Sequence, residues 1–261
     1  MHNDIFTIGR FTLHGYSLMI ALGYLIGVVL CLLYAKKKQK DGDIIMDICL
    51  ISIVGGFLGA KLLYIIVEFK TFLERPLDVI GFSGFVVYGG IIVAAVAIVI
   101  FSKIKKFNAF EYLDFMVPFI AMVQGFGRIG CFLAGCCYGA PTSSFLGVIF
   151  PEGSLAPAGI KLWPTQLFSS AGDFVIAIIL FFFGRKNKKV GNVCILYAFL
   201  YGVGRFVVEI FRNDPRGNVS IFSTSQFISI FVVAAAIVVG IIRNKPSDKN
   251  KKDEVKNEVE K

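Results

Sequence analysis

The chain has 261 residues, 56% of them hydrophobic and 14% aromatic, and a formal net charge of +9. With a mean hydropathy of +0.74, this composition points to a membrane protein rather than the one or two soluble domains that the length alone would suit. The positive charge falls mainly in loops between apolar runs, where it sets topology and meets anionic lipid head groups, so no nucleic-acid partner is expected.

Seven apolar runs are long enough to cross about 30 Å of hydrocarbon. They cover residues 14 to 35, 44 to 67, 85 to 102, 110 to 131, 166 to 184, 192 to 211 and 222 to 242. The prediction is an all-α, polytopic membrane protein with about seven transmembrane helices. The first run is too long for a cleaved leader and has only Arg10 before it, so it reads as a retained helix. The glycines of the fourth run are expected to break its helix near Gly135. Residues 68 to 84 are mixed in character and read as interfacial. Residues 138 to 165 contain Pro141, Pro151, Pro157 and Pro164 with several glycines, a composition for irregular structure. That segment either closes over a site as a lid or is a plain connector. Residues 1 to 243 thus form one membrane domain with an outer-face loop at 138 to 165. Residues 244 to 261, rich in lysine and glutamate, read as a charged cytoplasmic tail, disordered or a solvated helix. No internal repeat is evident.

Basic residues orient the spans, because cytoplasmic loops collect them. Eighteen follow odd-numbered runs or lie in the tail, beginning with Lys36, Lys37, Lys38 and Lys40. Six lie on the other side: Arg10, Lys70, Arg75, Lys161, Arg212 and Arg216. The N-terminus is therefore expected outside and the C-terminus in the cytoplasm. The remaining three, Lys61, Arg128 and Arg205, fall within runs.

Arg128 sits between glycines in Gly125-Phe-Gly127-Arg128-Ile-Gly130-Cys131-Phe-Leu-Ala-Gly-Cys136-Cys137-Tyr-Gly139. A charge near the bilayer centre costs roughly 2.5 to 3.5 kcal/mol, so an arginine retained there faces a cavity, a partner or an anion. Glycines let such a ligand approach the backbone, or let helices pack closely. The string Gly125-x-Gly127-x-x-Gly130 lacks the strand, helix and acidic residue of a dinucleotide site. Cys131, Cys136 and Cys137 cluster, but the two histidines are His2 and His14, so no metal is expected. A disulfide, or a thiol activated by the Arg128 cation, stays chemically open. Cys31, Cys49 and Cys194 read as small buried thiols. On the sixth span, Arg205, Glu209 and Arg212 share one helical face. The pattern fits either a self-neutralising ion pair or a glutamate that aims Arg205 at a phosphate.

From about residue 8 to 242 the chain resembles the bacterial prolipoprotein diacylglyceryl transferases. The resemblance rests on Gly127-Arg128-Ile129-Gly130 with Asp114, Pro118, Gly135 and Gly139 around it, and on Tyr201-Gly202 followed by Arg205, Glu209 and Arg212. Pro164-Thr165-Gln166-Leu167 and His14-Gly15-Tyr16 add to it. It implies an enzyme of the bacterial plasma membrane, active toward the outer leaflet and needing no cofactor. Such an enzyme moves a diacylglyceryl group from phosphatidylglycerol to the lipobox cysteine of a prolipoprotein signal-peptide region, with membrane lipids as its surroundings. The implied catalytic residues are Arg128, Arg205 and Tyr88. The implied lipid contacts are Arg128, Tyr16, Gly89, Gly90, Gly127, Gly130, Glu209 and Arg212, and Cys136 or Cys137 is a candidate covalent relay. The chain departs from the family's His-Gly-Gly at Tyr88-Gly89-Gly90, from two asparagines and a glutamate at Cys131, Ala134 and Cys136, and from a histidine at Trp163. Lys61 stands where an arginine is common, and Phe168 and Ser169 replace a tyrosine and a glutamate. The other readings are a transferase with a different acceptor, and a lipid-binding or lipid-transporting paralogue without the chemistry.

Overall fold

The computed structural model describes residues 4–8, 11–81, 84–187, 189–214, 218–219 and 221–244. Arg10, Lys188, Arg216 and, beyond Asn244, the expected charged tail lie outside the described residues. Among those described, seven helices are long and apolar enough to cross a membrane. They are α1 (Gly15–Lys37), α2 (Gly42–Val67), α5 (Val87–Lys105), α6 (Ala109–Ala134), α7 (Thr165–Lys186), α8 (Asn192–Phe211) and α9 (Thr224–Asn244). Each coincides with one predicted run to within a few residues. Two short helices, α3 (Phe69–Glu74) and α4 (Pro76–Ile80), occupy the mixed segment after α2.

Helix ends follow local chemistry. The Asp41 side chain caps α2 by accepting from the Asp43 amide at 2.9 Å. Lys36 and Lys37, Lys103 and Lys105, Arg185 and Lys186, and Arg243 occupy last turns, where cations offset the helix dipole. Helix α6 stops where its glycines suggested. Gly135 adopts φ +75°, its amide donates to Phe132 O, and the Cys136 amide donates to Cys131 O at 3.1 Å. That pair of bonds is a Schellman stop, which requires a residue free to take left-handed backbone.

The chain divides into two compact units, residues 25–119 and residues 1–24 with 120–261. In the first, α2 and α5 pack through small residues, as apolar helices do when lipid gives them no hydrophobic drive. A Cβ on Gly59 would collide with Gly89 O and with the Val93 side chain. A Cβ on Gly89 or Gly90 would collide with Gly59 O or Gly56 O. Tyr34 stacks on Phe115 at 5.1 Å, and Lys40 pairs with Glu111. Lys61 turns its ammonium toward Gly84 O and over the Tyr64 and Phe85 rings.

The second unit contains a hairpin of β1 (Asp4–Ile8) and β2 (Phe11–His14) leading into α1, which periodicity did not predict. Within it, α7 packs on α8 and α8 on α9. The proline-rich segment before α7 is more ordered than its composition suggested. Strands β3 (Val148–Ile149) and β4 (Lys161–Leu162) pair antiparallel. Phe150, Ala156 and Leu162 form a small core beneath them, flanked by Phe132 and Tyr138. A second short pair, β5 (Asn218–Val219) and β6 (Phe222–Ser223), precedes α9.

Gly59 and Gly56 provide a paired test of the α2 and α5 contact. Gly59→Ala should cost about 1–3 kcal/mol by overpacking. Gly56→Ala, whose Cβ meets nothing within 4 Å, should be neutral or stabilise by up to about 1 kcal/mol. Thermal unfolding of the two variants in one detergent measures the difference.

Candidate functional site

Three helices of the second unit converge on one pocket. Arg128 enters from α6, Ser169, Gly172, Asp173 and Ile176 from α7, and Tyr201, Gly204, Arg205 and Val208 from α8. The last two sets follow the i, i+3, i+4, i+7 spacing that lines one face of a helix. Added Cβ atoms on Gly172 and Gly204 would meet nothing within 4 Å, so these glycines leave the space open. The pocket encloses about 330 Å³ of empty space, part of it open to the outside. Ser170 ties α7 to α6 by donating to Gly125 O at 2.9 Å. Tyr197 does the same for α8 by donating to Gln124 Oε1 at 2.6 Å, and its ring stacks on Tyr201.

The two pocket arginines differ in how they are held. Arg205 Nη2 lies 3.0 Å from Glu209 Oε2 and donates to Ser225 Oγ at 2.9 Å. Glu209 is 2% exposed, and it also accepts from Ser223 Oγ at 2.9 Å and from Arg212 Nη1 at 3.3 Å. Arg212 forks onto Asp214, with Nε to Oδ1 at 2.9 Å and Nη2 to Oδ2 at 2.7 Å. The shared face read from the sequence is thus a buried chain of alternating charge, Arg205 to Glu209 to Arg212 to Asp214. Arg128 has no such arrangement. Among the described residues no carboxylate forms an ion pair with it, and its electrostatic neighbours are Tyr201, Cys131, Cys137 and Asp173.

Asp173 is the pocket residue that sequence reasoning missed. It is 5% exposed, and its Oδ2 has no hydrogen-bond partner among the described residues. A carboxylate inside an apolar span is itself a signal, and Asp173 carried it. Two guanidinium groups and one carboxyl in an apolar pocket make a site that can hold a phosphate by forked donors and still offer a proton acceptor.

Just past the pocket, the Schellman stop of α6 folds Cys136 and Cys137 back toward Cys131, bringing all three sulfurs within 4.8 Å of one another. The turn is pinned from α7, where Thr165 Oγ1 donates to Cys137 O and Gln166 Nε2 to Cys136 O, both at 2.7 Å. The Cys137 thiol is held below its usual range, first by hydrogen bonds with Cys131 and Cys136 and then by the Arg212 and Arg128 charges. Tyr16 lies by this cluster, electrostatically coupled to the three cysteines and Arg128, and a Cβ on Gly130 would come 3.0 Å from Tyr16 O. Gly127 meets nothing within 4 Å. Trp163 packs against Phe168 and Phe211.

The remaining predicted residues belong to the other unit. Tyr88 is exposed on the first turn of α5, while Gly89 and Gly90 are buried where α5 meets α2.

Glu209 is the charge on which two arginines depend. Glu209→Ala should therefore lower unfolding stability by about 3–5 kcal/mol, because it leaves the buried Arg205 cation uncompensated. Glu209→Gln, which keeps an acceptor for Ser223, should lose less. Denaturant unfolding of both variants in micelles tests the order.

Comparison with known proteins bears on the whole chain. The family described as prolipoprotein diacylglyceryl transferase matches residues 3–242. A phosphatidylglycerol–prolipoprotein diacylglyceryl transferase of Clostridium tetani (strain Massachusetts / E88) is 47% identical over 237 residues, 90% of this chain and 95% of the relative. A protein of Clostridium perfringens (strain 13 / Type A) named phosphatidylglycerol–prolipoprotein diacylglyceryl transferase 2 is 46% identical over 87% of this chain and 89% of its own length. One from Clostridium botulinum (strain Loch Maree / Type A3) is 30% identical over 91% and 95%. With the match running from the residues before α1 into the last turn of α9, the chain belongs to the prolipoprotein diacylglyceryl transferase family.

Proposed function

We propose that this protein transfers a diacylglyceryl group from phosphatidylglycerol to the lipobox cysteine thiol of prolipoproteins. The observation that carries the reading is that Arg128 and Arg205, from different spans, line one pocket. The names of the relatives at 47% and 46% identity support it. In the reaction the thiol loses its proton, sulfur attacks the glyceryl carbon bearing the phosphoester, and the carbon–oxygen bond breaks. The product is a thioether, and glycerol phosphate leaves with the electron pair. Negative charge grows on the departing phosphate, so two guanidinium forks stabilise the transition state more than the bound lipid. Glu209 and Ser225 hold Arg205 in position, and Arg212 steadies Glu209 in turn. Asp173, whose Oδ2 has no hydrogen-bond partner among the described residues, takes the thiol proton or holds the water that does. Tyr16, Gly127 and Gly130 border the lipid. Cys136 and Cys137 are not needed as a covalent relay in this scheme.

The charge pattern of the loops supports a bacterial plasma membrane location with the N-terminus outside and the C-terminal tail, from residue 244, in the cytoplasm. The carboxyl ends of α6 and α8, which carry the arginines, would then face the outer leaflet. Lipid would enter from the membrane, with the segment at 138 to 165 bordering the site on that face. No nucleic acid takes part.

Expression in bacteria depleted of their own diacylglyceryl transferase should restore lipoprotein maturation. Normal membrane levels without rescue would favour a paralogue that binds or moves lipid without the chemistry. Arg128→Lys and Arg205→Lys should each lower kcat/KM by about a hundredfold or more, because a point charge replaces a fork at the departing phosphate. The assay is thioether formation from phosphatidylglycerol and a lipobox peptide.

Asp173→Asn keeps the side chain's size and removes its basicity. It should lower kcat by about a hundredfold while KM for phosphatidylglycerol stays within a few fold. An unchanged kcat would remove Asp173 from the proton transfer.

A further inference from the structure

The sulfur cluster at the end of α6 has no task in the reaction above, and it has the makings of a site of its own. Three thiols from Cys131, Cys136 and Cys137 lie within 4.8 Å of one another. An ion bonded to three sulfurs at about 2.3 Å needs them roughly 4 Å apart, so small side-chain rotations close the set. The backbone is already committed to that arrangement. The Cys136 amide bonds Cys131 O, Cys137 holds φ +60°, and Thr165 and Gln166 pin the two carbonyls. Among the described residues no histidine or carboxylate joins the three sulfurs. The usual four-ligand zinc set is therefore missing, while a three-sulfur set is complete for a soft monovalent ion. Three thiolates around one monovalent cation leave two negative charges, and Cys137 interacts with two guanidinium groups, Arg212 and Arg128.

We propose that Cys131, Cys136 and Cys137 form a three-sulfur site for a soft, thiophilic monovalent metal ion, copper(I). Binding replaces three thiol protons, which go to solvent, and changes no oxidation state. The site stands independently of the transfer reaction, so lack of transferase activity would leave it intact.

The test is titration of the full chain, reduced and oxygen-free in lipid nanodiscs, with copper(I) delivered by a coloured competing chelator. One ion per chain should bind. Cys131→Ser, Cys136→Ser and Cys137→Ser should each weaken binding at least about a hundredfold, beyond the 10–100-fold that residues surrounding the ligands account for. The triple variant Cys31→Ser/Cys49→Ser/Cys194→Ser should bind as the original does. Equal binding after loss of the three clustered thiols would overturn the site, as would zinc(II) binding as tightly as copper(I). A disulfide among residues 131 to 137 in protein alkylated at extraction would also overturn it, because the sulfurs would already be used. Should a serine variant fold poorly, copper-edge X-ray absorption on the unsubstituted protein decides alone. Three sulfur neighbours support the site, and nitrogen or oxygen neighbours overturn it.

Discussion

The constraint behind the site is the cost of keeping cations in an apolar helix bundle. An unpaired buried charge is penalised by several kcal/mol, and this chain meets that cost for Arg205 with a single carboxylate. Glu209 is fully enclosed and takes contacts from Arg205, Arg212 and Ser223. Each of those partners has a further one of its own, or sits at the start of α9. The result is a rigid mount that spans the last two turns of α8, the turn after it, and the entry into α9. Arg128 lies outside that mount. Its charge faces Tyr201, Cys137 and Asp173, and among the described residues it forms no ion pair, which leaves its donors available to a ligand that brings its own negative charge.

Because Arg205 and Glu209 lie on the same helix, the α8 part of the pocket and of its mount follows from spacing. Residues 201, 204, 205 and 208 turn one face of α8 to the pocket, and Glu209 and Arg212 lie beside that face. Helix α7 presents the matching spacing, so one carboxyl and one small residue meet the arginines. Ser170 and Tyr197 lock α7 and α8 onto α6 at the level of Gln124 and Gly125, one turn before Arg128. Hydrogen bonds of this kind hold helices in register where lipid supplies no hydrophobic drive.

How much of this was legible in the sequence depended on period and length. The seven spans were, because twenty or so apolar residues between charged loops have few other structures available. The Gly135 stop was legible too, since a left-handed residue at a helix end is usually glycine. The hairpin before α1 and the short strands between α6 and α7 were not. Their elements are two to five residues long, below what periodicity resolves. The ion chain on α8 was visible as a shared face, but Ser223, Ser225 and Asp214 come from outside the helix and only folding brings them to it. Asp173 was missed for a different reason. It is the one acid in an apolar run with no motif around it, and only folding brings it to the arginines.

The departures from the family pattern also have a structural logic. The cysteines at positions 131 and 136 stand where amide and carboxylate side chains are usual, yet the backbone they occupy is fixed by other residues. Gln166 and Thr165 bind the carbonyls of Cys136 and Cys137 rather than their side chains, and the Schellman bonds involve only main-chain atoms. Side chains at 131, 136 and 137 can therefore change chemistry without loss of the turn that follows Arg128. Glu209 is under the opposite condition. Its contacts with Arg205, Arg212 and Ser223 run through its carboxylate, so a residue of different charge in its place would leave Arg205 without its counter-charge. The shape of the site thus rests on main-chain bonds at one end and on a buried carboxylate at the other, and chemical novelty is confined to the first.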